Sequence, residues 1–140
     1  MKKPLLGQCL TYAGVLPFLG AAIIPAVNPN FLGLNYDNII LTYGAVIVSF
    51  VAGVHWGIYL FKDPPLNLFI HSNIAALLAW SAVLVAHSGS AFILLLCFLY
   101  LIVIDRQLSK AGILEGWYLR MRLIATTLVI VAFLFYSVFQ

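Results

Sequence analysis

The stretch GVHWGIYLFKDPPLNLFIHSN, residues 53–73, sets the arrangement of the whole chain. Its two apolar runs are separated by Lys-Asp-Pro-Pro, and each run carries one histidine. His55 lies eight residues before Asp63, and His71 lies eight residues after it. Because proline interrupts helices and favours turns, this pattern predicts two helices joined by a short turn at Asp63. Each helix then carries an ionisable ring.

The composition of the chain indicates a membrane protein. Of the 140 residues, 64% are hydrophobic and 8% are charged, and the mean hydropathy is +1.10. Soluble domains are about 25% charged, so this chain lacks the polar surface to cover itself in water. Cys9 and Cys97 have no metal-ligand spacing and are interpreted as small packing residues. We expect no soluble domain.

Five segments have the length and hydrophobicity of membrane helices. A helix needs about 20 apolar residues to cross the bilayer. We therefore predict a single domain, residues 1–140, that is an all-α polytopic membrane helix bundle with five transmembrane helices. The predicted spans are residues 5–27, 38–61, 65–86, 90–108 and 116–138.

The first apolar run is interpreted as a retained helix. A cleaved signal peptide is the alternative, since Lys2 and Lys3 give residues 1–27 a basic start. The run is long and further apolar spans follow it, which favours a membrane helix. Pro17 and Pro25 are expected to kink or end this helix.

Polar segments predict the turns at the two ends of the third span. The fourth uncharged run, residues 91–104, is too short to cross the bilayer, so the fourth helix either begins near His87 or continues past Asp105 and Arg106. AHSGSA at residues 86–91 is typical of a tight turn and favours the second alternative. Asp63 suits the N-cap of the third helix, with Pro64 at the first helical position, where a missing N–H costs nothing.

The basic residues predict the orientation of the bundle. If the N-terminus is inside, the outer connections receive no lysine or arginine and the inner side receives all seven. The positive-inside rule therefore predicts an N-terminus inside and a C-terminus outside. The seven residues are Lys2, Lys3, Lys62, Arg106, Lys110, Arg120 and Arg122.

Both histidines are predicted to point into the protein. Each lies about 12 Å along its helix from the turn at Asp63, at one depth in the inner leaflet, and ionisable residues in membranes tend to face the bundle interior. On the other side of the second helix, small residues recur at every fourth position and favour close helix packing. These helix-packing residues are Ala45, Ser49, Gly53 and Gly57.

Further polar and aromatic residues of the third, fourth and fifth helices fall at the same level as the histidines. We predict that they form a ligand-binding cluster open to the inner face of the membrane. A structural role is the alternative, with histidine and asparagine as interhelical hydrogen-bond partners, arginines as boundary anchors, and Asp105 paired with one of the arginines. The predicted cluster comprises His55, Trp56, His71, Asn73, Trp80, Asp105, Trp117, Tyr118, Arg120 and Arg122.

The two histidines also permit a cofactor. A histidine on each of two neighbouring helices is an axial ligand set of a b-type haem, so a redox protein that binds haem b or another cofactor through His55 and His71 is one alternative. Catalysis is not favoured, because no metal-binding or nucleophile–base motif is present. A small transporter is a second alternative and would require oligomerisation. Nucleic-acid binding has no support, since orientation accounts for the basic residues.

Three segments carry a resemblance to a known family. They are YGAVIVSFVAGVHWG at residues 43–57, HSNIAALLAW at 71–80 and GWYLRMRL at 116–123. The chain resembles, over most of its length, small bacterial inner-membrane proteins of unknown function related to the mitochondrial transmembrane protein sixty-nine. The resemblance implies an inner-membrane location and carries over no catalytic residue. Its recurring positions match His55, Trp56, Asn73, Trp80, Trp117, Tyr118 and Arg120.

The leading prediction is a multi-pass protein of the bacterial inner, or cytoplasmic, membrane without enzymatic activity of its own. It would act as an accessory or assembly component, or bind a lipid or a quinone at the predicted cluster. Expected partners are membrane lipids, a quinone or another membrane protein, and the sequence is compatible with a homo-oligomer. The sequence leaves the identity of any cofactor open.

Overall fold

Six α-helices account for most of residues 2–139. A computed structural model describes residues 2–139. A short 3₁₀ helix, Phe31–Gly33, separates the second and third α-helices. The α-helices are α1 (Lys3–Ala13), α2 (Leu16–Val27), α3 (Tyr36–Phe61), α4 (Leu68–Val85), α5 (Ser90–Lys110) and α6 (Gly116–Phe139).

The helices confirm the predicted all-α class and the number of spans. Lys3–Val27 counts as one span, because α1 and α2 follow each other almost directly. Within residues 2–139, five helical segments are then long and apolar enough to cross a membrane. The orientation of the termini stays a prediction.

The first span is interrupted between α1 and α2. Pro17 lies in the first turn of α2, where its missing N–H breaks no helical hydrogen bond. The backbone N–H of Val15 bonds to the carbonyl of Tyr12, three residues back, and the α-helical pattern is interrupted between Ala13 and Leu16. The hydroxyl of Tyr43 donates to the carbonyl oxygen of Gly14 at 2.9 Å, which satisfies an acceptor that the break leaves open. The expected kink is therefore present just before Pro17.

The connection between α3 and α4 differs from the prediction. Asp63 is exposed and caps no helix; α4 begins at Leu68, and the side chain of Asn67 accepts from the N–H of Ile70 at 3.3 Å. The predicted cap at Asp63 is wrong because Pro65 follows Pro64. A proline disfavours the helical backbone conformation in the residue before it, so Pro64 does not begin a helix.

This later start changes the relation between the two histidines. His71 is the fourth residue of α4, whereas His55 lies six residues before the end of α3. Their equal distances from Asp63 therefore do not translate into equal distances from the ends of their helices.

The fourth predicted span has the expected length. α5 continues past Asp105 and ends at Lys110. The turn before it is tight: Ala86 adopts a left-handed conformation with φ of 44°, and the N–H of His87 donates to the hydroxyl of Ser90 at 3.0 Å. The length of α5 and the tight turn before it both agree with the prediction that residues 86–91 form a turn and that the fourth span continues past Asp105.

The core lies where α2, α3, α5 and α6 meet, and the buried alanines of α4, Ala75, Ala79 and Ala82, extend it. Three fully buried rings, Phe18, Phe98 and Phe133, pack with centroids 5.8 to 6.2 Å apart. Gly44 lies against Phe18 and Phe133, and a Cβ built there is 3.0 Å from Leu94 Cδ1 and 3.2 Å from Phe133 Cζ. Only glycine fits this position without moving a neighbouring side chain.

The predicted row of small residues on α3 occupies a different face. Ala45 is partly buried against the core, but Ser49 and Gly53 are exposed. A Cβ built at Gly53 or Gly57 has no non-local heavy atom within 4 Å among the described residues. No helix within residues 2–139 therefore approaches these two glycines closely, and the close approach is found at Gly44. A GxxxG pattern shows that small residues share a face, not that a helix covers it.

Candidate functional site

Asp105 joins three helices through one buried carboxylate. Its side chain lies on α5 and is inaccessible to solvent. Nε2 of His55, on α3, donates to Oδ1 at 2.7 Å, and Nε of Arg122, on α6, donates to Oδ2 at 2.9 Å. His55 is also fully buried, and Arg122 is only 6% exposed. We call these three residues the Asp105 triad.

The triad follows from the cost of burying charge. A carboxylate far from water is stable only when opposite charges and hydrogen-bond donors surround it. Arg122 supplies the opposite charge and His55 a further donor, so both oxygens of Asp105 are bonded. The alternative in which Asp105 pairs with an arginine is therefore the arrangement found, with Arg122 as the partner.

A cavity of about 450 Å³ lies beside the triad. One side of it is formed by α6, and the others by α1, α2 and α3 with one residue of α5. We call it the α6 cavity. Its walls are mostly aliphatic and aromatic, and they include Leu10, Phe18, Phe50, Val51, Phe98, Met121, Ala125 and Val129.

Two polar side chains of α6 line this cavity without a hydrogen bond at one atom each. They are Arg122, at Nη2, and Thr126, at Oγ1, and both atoms are buried among the described residues. The two residues are one helical turn apart and therefore share a face of α6. Arg122 thus belongs to both structures, with Nε in the triad and Nη2 without a partner.

Of the predicted cluster, five residues come together here. His55, Asp105 and Arg122 form the triad, and Trp117 and Tyr118 line the cavity near the start of α6. Trp117 also supports α1, because a Cβ built at Gly7 would be 3.7 Å from the indole ring. These contacts place the N-terminal helix over one side of the cavity.

The second histidine belongs to a different group. Nδ1 of His71 is hydrogen-bonded to the hydroxyl of Tyr100, and the ring is only partly buried. His55 is bonded to Asp105, and neither histidine lines the α6 cavity. The two rings therefore have separate partners on α5, which does not fit two axial ligands held toward one haem iron.

The other four predicted residues lie on the outer surface of the helices. Trp56 is 41% exposed and packs on the ring of Phe69 with centroids 4.4 Å apart, and Trp80 is 58% exposed. Asn73 donates its amide to the carbonyl oxygen of Phe69 at 2.7 Å, within α4. Arg120 is exposed. None of the four lines the α6 cavity.

Sequence reasoning missed Thr126 and the contribution of the first span. Thr126 lies four residues after Arg122, so the helical period alone places both on one face. The contribution of α1 depends on the break before Pro17, since Gly7, Leu10 and Thr11 line the cavity together with Phe18 beyond the break. No local pattern in the sequence indicates which helix α1 approaches.

Comparison with known proteins identifies a family and one curated relative. Transmembrane protein 69 of Xenopus tropicalis is 29% identical over 129 residues, which cover 86% of this chain and 49% of that protein. The chain therefore spans about half the length of the curated relative it matches. No solved structure matches the chain. The family described as Protein of unknown function (DUF3429) matches residues 3–138, and the chain belongs to this family, as the resemblance in its sequence predicted.

Proposed function

We propose that the protein is a non-catalytic membrane component that binds a lipid-like molecule, a lipid or a quinone, in the α6 cavity. The observation that carries this proposal is the pair of buried polar atoms, Arg122 Nη2 and Thr126 Oγ1, in an otherwise apolar cavity. Buried polar groups are normally hydrogen-bonded. A molecule with a polar head and an apolar body would supply a hydrogen-bond partner for these two atoms and apolar contacts for the cavity walls.

The size and composition of the cavity support such a ligand. Sites for small molecules have volumes of about 300–1,000 Å³ and combine apolar walls with a few placed polar groups. The cavity has about 450 Å³, and Phe18, Phe98, Trp117 and Tyr118 give it aromatic walls. Because this chain is a membrane protein, a ligand with a long apolar part is available from the bilayer itself.

The lining residues favour binding over catalysis. General acid–base or nucleophilic chemistry needs a proton-transferring side chain at the bound molecule. Among the described lining residues there is no histidine, carboxylate, lysine or cysteine, so the hydroxyl groups of Thr11, Tyr118 and Thr126 have no such base beside them in the cavity wall to activate them. An accessory or assembly role, in which the bound molecule stabilises or recruits other membrane components, is therefore the function that we propose.

We place the protein in the bacterial inner membrane with its N-terminus inside. The support is the distribution of the seven basic residues along the chain, which follows the positive-inside rule only in this orientation. Membrane lipids are then its immediate partners. The exposed small residues of α3, Ser49 and Gly53, offer a surface for a second copy or another membrane protein.

Haem binding and transport have less support. Haem ligation through His55 and His71 does not fit their separate partners, Asp105 and Tyr100. A transporter needs a site that opens to both sides of the membrane. The α6 cavity is lined by residues of α1, α2, α3, α5 and α6 of one chain, and a transport function would require a second copy.

A bulky substitution in the cavity wall tests the proposal. Ala125 is buried and lines the cavity, so Ala125→Phe should fill much of the space and exclude the ligand. The protein is extracted in a mild detergent, and the molecules that co-purify are identified by mass spectrometry. Ile124→Phe is the matched control, because Ile124 is the preceding residue, is 51% exposed and faces away from the cavity.

We expect the parent protein and Ile124→Phe to retain the same amphiphile at about one molecule per chain. Ala125→Phe, and independently Val54→Phe on the α3 wall, should lose it while unfolding at temperatures close to that of the parent. Equal retention by both folded cavity variants would show that the molecule binds elsewhere and would refute the proposal.

A further inference from the structure

We infer that the head of the ligand is an uncharged hydrogen-bond acceptor, a carbonyl group such as that of a quinone or an acyl ester, rather than a carboxylate or phosphate. The inference rests on the proposed function, since it concerns the same cavity. It follows from how the charges of the Asp105 triad are already paired.

Arg122 has little charge left to offer a ligand. Its Nε bonds to Asp105 at 2.9 Å, and both side chains are more than nine-tenths buried. A buried arginine and carboxylate in this contact form a pair with no net charge. What remains at the cavity is the hydrogen-bonding capacity of Nη2, which donates and cannot accept.

An anionic head would therefore leave an uncompensated charge. None of the described lining residues is a lysine, a histidine or a second arginine. A carboxylate or phosphate in this cavity would place a second negative group near Asp105, and Arg122 is the one guanidinium among the described lining residues. Burial of an unpaired charge is much more costly than burial of a hydrogen-bonded neutral group.

A carbonyl oxygen matches the donors that are present. It accepts up to two hydrogen bonds, and the cavity offers a guanidinium N–H of Arg122 and the hydroxyl of Thr126 one turn further along α6. Apolar and aromatic walls then enclose the rest of the molecule. A quinone ring would also pack on the aromatic side chains, whereas an acyl ester would place its chain along Met121, Ala125 and Val129.

Fluorescence of Trp117 provides the test, because this side chain lines the cavity. The chain has three tryptophans, and the background variant Trp56→Phe/Trp80→Phe leaves Trp117 as the single emitter. The probe is a benzoquinone with a decyl tail, which quenches tryptophan on contact. Competitors of the same tail length are a methyl ester, a carboxylate at pH 8 and the plain alkane, all in one detergent.

We expect saturable quenching by the quinone and its reversal by the methyl ester. The carboxylate should compete at least about tenfold more weakly than the ester, and the alkane hardly at all. Quinone binding much tighter than ester binding would identify a quinone as the source of the carbonyl. Similar affinities for the quinone and the methyl ester would identify an acyl lipid as the source of the carbonyl.

Thr126→Val should weaken binding of the quinone about fivefold, because it removes one donor and keeps the shape of the side chain. Thr127→Val is the control: Thr127 is exposed and bonds to the carbonyl oxygen of Leu123 within α6. If the carboxylate binds as tightly as the ester or more tightly, the inference is wrong. If no amphiphile quenches or competes saturably, the proposed function itself fails.

Discussion

At the scale of single residues, we expect substitution of Asp105 to change the free energy of unfolding most. One carboxylate accepts hydrogen bonds from His55 and Arg122 and so ties α5 to α3 and α6. Buried ion pairs add little stability compared with apolar residues of the same size, but loss of one partner leaves a charge without compensation. The triad is therefore a point at which a single substitution changes the stability of the whole bundle.

The substitution Asp105→Asn should lower the free energy of unfolding by about 3 kcal/mol, because the guanidinium of Arg122 stays buried without its counter-charge. Unfolding by added dodecyl sulfate in detergent micelles measures this change. Arg106→Gln is the control: Arg106 is the next residue and is exposed, so its loss should change the free energy by less than about 0.5 kcal/mol.

The double variant Asp105→Leu/Arg122→Met separates charge from packing. It removes both charges and keeps the side chains of similar size, so we expect it to regain most of the stability that Asp105→Asn loses. If Asp105→Asn alone were as stable as the parent, the two residues would not form a buried pair in the membrane.

At the scale of helices, glycine marks where two elements approach most closely. Gly44 on α3 lies against Leu94 of α5 and Phe133 of α6. Gly53, further along the same helix, is exposed and has open space where a Cβ would stand. Both glycines lie within α3, but Gly44 is packed against other helices and Gly53 is exposed. Substitutions at the two positions can therefore be compared directly.

Gly44→Ala should destabilise the protein by about 2 kcal/mol, because the added methyl group lies 3.0 Å from Leu94 Cδ1 in a packed core. Gly53→Ala should instead be neutral or stabilising by about 0.5 kcal/mol, since alanine is the better helix former. Thermal unfolding of the two variants in the same detergent gives the comparison.

A marked loss of stability in Gly53→Ala would contradict this expectation. It would mean that another helix covers Gly53 in the membrane, and cross-linking of the parent protein would then reveal a second copy. The same result would also support the packing role that the sequence predicts for the row of small residues on α3.

At the scale of the whole molecule, the structure gives five spans, whereas the direction in which they cross is a proposal. The connection between α3 and α4 carries Lys62, and the one between α4 and α5 carries no lysine or arginine. The positive-inside rule places the first connection in the cytoplasm and the second outside.

Cysteine labelling in intact cells tests this orientation. In a background that lacks Cys9 and Cys97, Ser88→Cys should react with a membrane-impermeant maleimide and Asp63→Cys should not, although both positions are exposed. Both should react after the cells are opened, which controls for accessibility. Labelling of Asp63→Cys alone in intact cells would reverse the proposed orientation.

The sequence by itself determined the number of spans, the length of α5 and the tight turn at residues 86–91. Each of these depends on local hydropathy, on helix length or on turn residues, which need no knowledge of the neighbouring helices. The pairing of a buried Asp105 with an arginine could also be predicted from the sequence, because an ionisable residue within a membrane span requires a partner.

Only the tertiary structure decided which residues meet. It separated His71 from His55, placed Trp56 and Trp80 on the surface, and brought Thr126 beside Arg122 in a cavity that α1 helps to enclose. The reason is that apolar side chains of a membrane protein face lipid as well as protein. Polarity along a helix then does not distinguish the side that packs on protein from the side that faces lipid. Which helices come into contact depends on how well their surfaces fit together.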